Sequence, residues 1–234
     1  MKKILLIAGL VLGGFAVNAQ SGFKPVKGDV TTEFGLSGGV LDSDFRLNET
    51  GNLLRFRYFT QEKLALRLGF GLSSANETAN AYGATAGQEG DVVRKSTDLL
   101  INLGLEKHFT GTERLSTYVG GDVLIGYGSS KSTYENSNNN FANPVFVNDV
   151  SGSVSGPSTL SLGLRGVVGA DYYFAKRLYL GVEGGFGLLY AKEGKTKVSN
   201  TIAGNTITSE TQSAGNSFEV NPSVITGVRI GFIF

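Results

Sequence analysis

FEVNPSVITGVRIGFIF, residues 218–234, alternates almost to its last residue. Phe218, Val220, Val224, Val228, Ile230, Phe232 and Phe234 share one face of the extended chain. Glu219, Asn221, Ser223, Gly227, Arg229 and Gly231 share the other. Successive side chains of a strand point to opposite sides, so this is a strand with one apolar and one polar face. A soluble sheet can alternate in this way with its apolar face on a core. Here an export-type N-terminus and at least six further alternating segments accompany it. Together they predict an all-β fold, an eight-stranded antiparallel transmembrane β-barrel with apolar residues toward lipid and polar or small residues toward the lumen.

Lys2 and Lys3 precede an apolar run from Ile4 to Val17, and Val17-Asn18-Ala19 ends in small residues. This pattern is a secretory signal over residues 1–19, too short to span a membrane, with cleavage expected between Ala19 and Gln20. The barrel domain is then residues 20–234. Past the signal, no apolar run approaches the ~20 residues of a helical span. Losing Lys2 and Lys3 takes the formal charge from +1 to −1. That balance argues against a nucleic-acid partner, whose binding surface would be strongly basic. Cysteine is absent, which removes disulfides and thiolate chemistry. Glycine is abundant, 34 of 234 residues, about twice the ordinary ~7%. Many of these glycines lie inside alternating runs, where small lumenal residues leave room for large side chains that cross a narrow interior.

The expected strands are Val30–Leu41, Gly51–Thr60, Lys63–Ser74, Lys95–His108, Leu115–Ser129, Thr159–Phe174, Leu178–Lys192 and Ser217–Phe234. The third is the cleanest, with Leu64, Leu66, Leu68, Phe70 and Leu72 opposed to Ala65, Arg67, Gly69 and Gly71. Short turns are expected near Gln61-Glu62, Thr110–Arg114 and Ala175–Arg177. Long polar loops are expected at Asp42–Thr50, Ala75–Arg94, Ser130–Ser158 and Glu193–Asn216. Short inner turns, long outer loops and an even strand number place both termini in the periplasm. Tyr58-Phe59, His108-Phe109 and Tyr173-Phe174 each precede a short turn and would form an aromatic girdle at the inner interface.

The signal, the eight alternating segments, the loop lengths and the terminal Phe234 resemble small bacterial outer-membrane β-barrel proteins. That family includes outer-membrane protein X and the membrane domain of outer-membrane protein A. The resemblance covers residues 20–234 and is one of pattern rather than of a signature motif. It implies a monomer in the outer membrane, in contact with outer-membrane lipid and assembled by the barrel-assembly machinery. Ile230, Phe232 and Phe234 match the aromatic C-terminal assembly signal of the family. A peptidoglycan-binding role is not carried over.

Parity assigns Glu33, Arg55, Arg57, Arg67, Asp98, Glu106, Asp122, Arg165, Asp171, Glu183, Glu219 and Arg229 to the lumen. Charges taken from water need partners, and an eight-stranded interior is just wide enough to be filled by side chains. A salt-bridged plug is one reading of this set; a narrow gated ion path is the other. No catalytic residues, metal ligands or cofactor are expected. The lone histidine, His108, falls at an inner turn rather than at the outer surface, where the family's histidine-based lipid enzymes work. Asp42, Asp44, Asn48 and Glu49 could meet Ca²⁺ but lack EF-hand spacing. Asn136–Asn140 reads as a mobile loop tip. Three functions follow: a structural or surface-interaction barrel that meets an extracellular partner through its loops, a narrow channel or carrier, and a lipid-modifying enzyme, the last disfavoured.

Overall fold

The computed structural model describes residues 22–36, 54–212, 215–221 and 227–234. Residues 1–19 and the Ala19–Gln20 junction lie outside that range, as do residues 37–41 and 51–53 of two expected strands and the Asp42–Glu49 acidic cluster. The described residues form twelve strands and no helix.

The strands are β1 (Val30–Leu36), β2 (Leu54–Gln61), β3 (Leu64–Tyr82), β4 (Glu89–His108), β5 (Leu115–Ser137), β6 (Phe146–Ser155), β7 (Thr159–Ala175), β8 (Leu178–Glu193), β9 (Lys197–Ile202), β10 (Asn205–Glu210), β11 (Asn216–Asn221) and β12 (Gly227–Ile233). Antiparallel pairing runs β1–β2–β3–β4–β5–β7–β8–β12 and returns from β12 to β1, where Thr31 faces Ile233 and Leu36 faces Val228. The described sheet is thus an antiparallel ring through eight strands. β11 and β12 both pair with β8 and account for residues 216–221 and 227–233 of the expected last strand; its residues 222–226 lie outside the described residues.

The faces follow the alternation. Leu66, Leu68, Phe70 and Leu72 of β3, Leu160, Leu162, Leu164 and Val168 of β7, and Val182, Phe186 and Leu188 of β8 are all exposed on the outside. Inside lie charged, aromatic and glycine residues. An exposed apolar surface this extensive marks contact with lipid or with other protein.

Three of the predicted loops contain strands. β3 and β4 run on as a paired hairpin through most of residues 75–94, turning at residues 83–88. β5 continues to Ser137 and pairs there with β6, inside the expected loop 130–158. β9 and β10 form a hairpin inside residues 193–216, and β9 joins β6. These extensions are rich in Ser, Thr and Asn, so they carry no apolar period and read as loops. The β9–β10 turn is Ala203-Gly204, both at positive φ, which is the two-residue hairpin geometry that matches strand twist. At residues 136–140 asparagine side chains bond to the loop backbone. Asn138 Oδ1 accepts the backbone N–H groups of Asn140 and Val145, and Asn140 Oδ1 accepts those of Ala142 and Asn143. The guanidinium of Arg94 lies 4.6 Å from the Phe141 ring centroid and ties this loop to β4.

The aromatic pairs at the inner turns divide by parity. Tyr58, Phe109 and Phe174 are exposed on the outside, whereas Phe59, His108 and Tyr173 are buried inside. Only half of the expected girdle can therefore face an interface, because adjacent residues of a strand cannot share a face.

Candidate functional site: the interior charge network

Arg57 on β2 sits fully buried at the centre of the ring. Its Nη2 lies 2.7 Å from Glu33 Oε1 on neighbouring β1. Its Nη1 lies 2.8 Å from Glu106 Oε1 on β4 and 2.8 Å from Asp171 Oδ2 on β7. β2 and β7 are four places apart on an eight-strand ring, so the last contact spans the interior. Arg57 Nε also donates to Thr31 Oγ1 at 3.2 Å. The Tyr179 ring, 5.0 Å from the guanidinium carbon, and the Tyr118 ring, at 5.7 Å, pack against it.

Glu183 on β8 is the second centre. It accepts from Arg55 at 3.0 Å and from Arg229 at 2.8 Å, and it lies 3.0 Å from Arg67 Nη2. The Tyr118 hydroxyl donates to it at 2.9 Å. Arg67 on β3 also lies across the ring from β8, and it reaches Glu106 at 3.2 Å and Asp122 at 3.1 Å. Some of these guanidinium contacts are at ion-pair distance but off the hydrogen-bond line. Asp122 takes Arg165 at 2.6 Å. Five arginines thus meet five carboxylates, a neutral set in which every charge has an opposite neighbour. That balance offsets the desolvation each ion would otherwise suffer.

Local sequence makes the room. Gly231 lies directly under the Tyr179 ring and Gly169 under the Tyr118 ring; a Cβ at either position would overlap the aromatic carbons. Both tyrosines reach past a glycine on the neighbouring strand to a carboxylate, Tyr179 to Glu33 at 3.0 Å and Tyr118 to Glu183.

The structure brings Glu33, Arg55, Arg57, Arg67, Glu106, Asp122, Arg165, Asp171, Glu183 and Arg229 together. It keeps Asp98 and Glu219 apart from them. Both are exposed and lie nearer the outer end, Asp98 opposite Gly128 and Glu219 opposite Leu189. Parity assigns a side chain to a face but says nothing of its height along the strand, and these two stand above the network.

His108 belongs to the interior, not to a girdle. Its Nε2 is 2.9 Å from Glu106 Oε1 and its Nδ1 is 2.8 Å from Ser116 Oγ. The parity it shares with Glu106 carried that signal. Ser, His and Glu in a chain invite comparison with a hydrolytic triad. Here all three are buried, and Glu106 is committed to Arg57 and Arg67. A nucleophile must be reachable by substrate, and this serine is packed into the end of the ring. Below the network, Tyr173, Tyr179 and Ile233 form a buried cluster with Phe23 packed against it. Ile233 falls on the polar face of its strand, where alternation gives no sign of an apolar contact. Among the described residues no His, Asp or Glu cluster is arranged to hold a metal ion.

Residues 44–197 match the model of the Putative OmpA-OmpF-like porin family. The chain belongs to this family. No curated protein matches the chain. Membership supports an outer-membrane β-barrel of porin type, in keeping with a ring whose apolar residues face outward. In this porin-family chain the interior at the level of Arg57 is filled by side chains. Further out, a cavity of about 980 Å³ opens among Ser73, Ser96, Asp98, Leu100, Thr159 and Ser161.

Proposed function

We propose that this chain is an eight-stranded transmembrane β-barrel, closed inside by its charge network, that acts as a structural or surface-interaction protein of the outer membrane. The observation that carries this reading is the pair of contacts across the ring, Arg57–Asp171 at 2.8 Å and Arg67–Glu183 at 3.0 Å. Side chains from strands four places apart meet at the centre, which leaves no continuous water path at that height. The β3–β4, β5–β6 and β9–β10 hairpins stand beyond the apolar belt and offer hydrogen-bonding surface to an extracellular partner. Both termini belong on the periplasmic side, with Phe234 donating its N–H to the Val30 carbonyl at the inner rim. The barrel is a monomer in contact with outer-membrane lipid, and Ile230, Phe232 and Phe234 present the aromatic end that the barrel-assembly machinery would read. It takes no cofactor and is not an enzyme.

A second reading, a narrow gated channel, is favoured by the porin description of the family and by the hydroxyl-lined outer cavity. Planar-bilayer recording of the purified, folded protein separates the two. The closed-barrel reading expects no steady openings from the native protein; regular unitary currents would establish the channel instead.

A further inference from the structure

Lys95 on β4 stands directly opposite Lys131 on β5. The β3–β4–β5 ladder is continuous from this pair down to His108, so parity puts both lysines on the outside with Leu99, Ile101 and Leu103. Directly opposed residues have Cβ atoms about 5 Å apart, and like charges there repel. Both side chains are exposed, and no carboxylate among the described residues forms an ion pair with either. The nearest outward acids on the same strands, Asp91 and Glu135, are four residues further out, about 13 Å along an extended strand. The two lysines line a recess of about 360 Å³ with Tyr127, Ser129, Ser158 and Lys195. Lys195 is already shared with Glu210 at 3.6 Å, so among the described residues Lys95 and Lys131 are the free cations of the recess.

The recess sits at the upper edge of the apolar belt. Leu99 and exposed Tyr127 are four residues below the lysines on the same face, and exposed Leu160 lies beside Tyr127. With strands tilted by about 45°, the lysine Cα atoms stand about 9 Å above that row, within the headgroup layer. We propose that Lys95 and Lys131, with the hydroxyls of Ser129 and Ser158, bind the phosphate of an anionic lipid of the outer leaflet. A phosphate between the two ammonium groups removes their repulsion and accepts from the hydroxyls. The acyl chains of the same molecule then lie along Tyr127 and Leu160. A free anion would gain the first contact but not the second, which selects a lipid. The site rests on the transmembrane reading given above.

The chain has no tryptophan, so Tyr127→Trp supplies a single reporter inside the recess. The folded variant is placed in phosphatidylcholine bilayers doped with brominated-chain phosphatidic acid or brominated-chain phosphatidylcholine. Quenching of the tryptophan gives the relative affinity of the two lipids at this position. Each lysine at an anionic headgroup is expected to contribute about a fivefold preference, so phosphatidic acid should be favoured about 30-fold. In the Lys95→Gln/Lys131→Gln background that preference should fall to near unity. Lys107→Gln, at the inner end of the same outward face, should leave it in place. An undiminished preference in the double variant overturns the site. Abolition of the preference by inorganic phosphate equimolar with the lipid assigns the recess to a free anion and overturns the lipid. Absence of quenching by either brominated lipid contradicts the membrane reading itself and removes the site with it.

Discussion

Glu183 and Arg229 meet at 2.8 Å although their backbones are not opposite one another. Glu183 faces Gly227, and Arg229 faces Gly181, so the pair is a diagonal across the β8–β12 ladder. Gly181, opposite Arg229, leaves room for the Asp171 carboxylate, whose Oδ1 lies 2.8 Å from where a Cβ would stand. Level strand ends would have put the two residues side by side; the stagger of a closed ring displaces them by two residues.

Glu183 is shared by Arg55, Arg67, Arg229 and Tyr118, and so the two ends of this pair are unequal. Glu183→Ala leaves three guanidinium groups without their common partner and should cost ~3–5 kcal/mol. Arg229→Ala removes one donor of four and should cost ~1–3 kcal/mol. The double variant should lose less than the sum. Urea unfolding in lipid vesicles measures all three, and strict additivity would show that the pair is not coupled.

Gly231→Ala places a methyl group inside the Tyr179 ring and should destabilise by ~1–3 kcal/mol. In a Tyr179→Ser background the same substitution should cost little more than Tyr179→Ser alone. Equal costs in both backgrounds would mean that the ring does not lie over Gly231.

His108→Ala removes two buried hydrogen bonds and should lower stability by ~1–3 kcal/mol. Ser116→Ala should leave the lipid acyl composition of the host membrane unchanged. A change in that composition, with folding preserved in the heat-modifiable gel assay, would revive an enzymatic role for the Ser116–His108–Glu106 chain.

Phe234 pairs at the inner rim with β1 and stacks edge-on against Phe232 at 4.8 Å. Deleting it, or replacing it with Asp, should reduce the fraction of folded, heat-modifiable protein in membranes more than an Asp at exposed Ile207 in the outer β10 strand. Equal assembly of the two variants would mean that the last aromatic is not read.

What the sequence disclosed depended on contrast between neighbouring residues. In β3 and β7 leucine alternates with glycine, serine or arginine, and that alternation alone assigns the two faces. The outer hairpins lack that contrast. Asn205-Thr206-Ile207-Thr208-Ser209-Glu210 carries one apolar residue, and a strand held only by backbone pairing leaves little trace in side-chain type. Its turn, Ala203-Gly204, also lacks the Asn-Gly signal. For the interior, alternation tells which way Glu33 or Arg57 points, but not which partner each meets. Arg57 and Asp171 are 114 residues apart in the chain, and only the closure of β12 onto β1 brings their strands face to face. The same blindness to height placed Asp98 and Glu219 with the network, whereas the shared face of His108 and Glu106, two residues apart on β4, was legible from alternation.

The central claim is that the ring is a membrane barrel with its apolar face in lipid. The chain has no cysteine, so single spin labels can be attached at Ser161→Cys, Leu162→Cys and Leu164→Cys on β7 and at Leu188→Cys on β8. In reconstituted bilayers, power-saturation EPR should find the labels at 162, 164 and 188 accessible to dissolved oxygen and shielded from a water-soluble nickel chelate. The label at 161 should show the reverse. Nickel accessibility at 162, 164 and 188 equal to that at 161 would contradict the barrel.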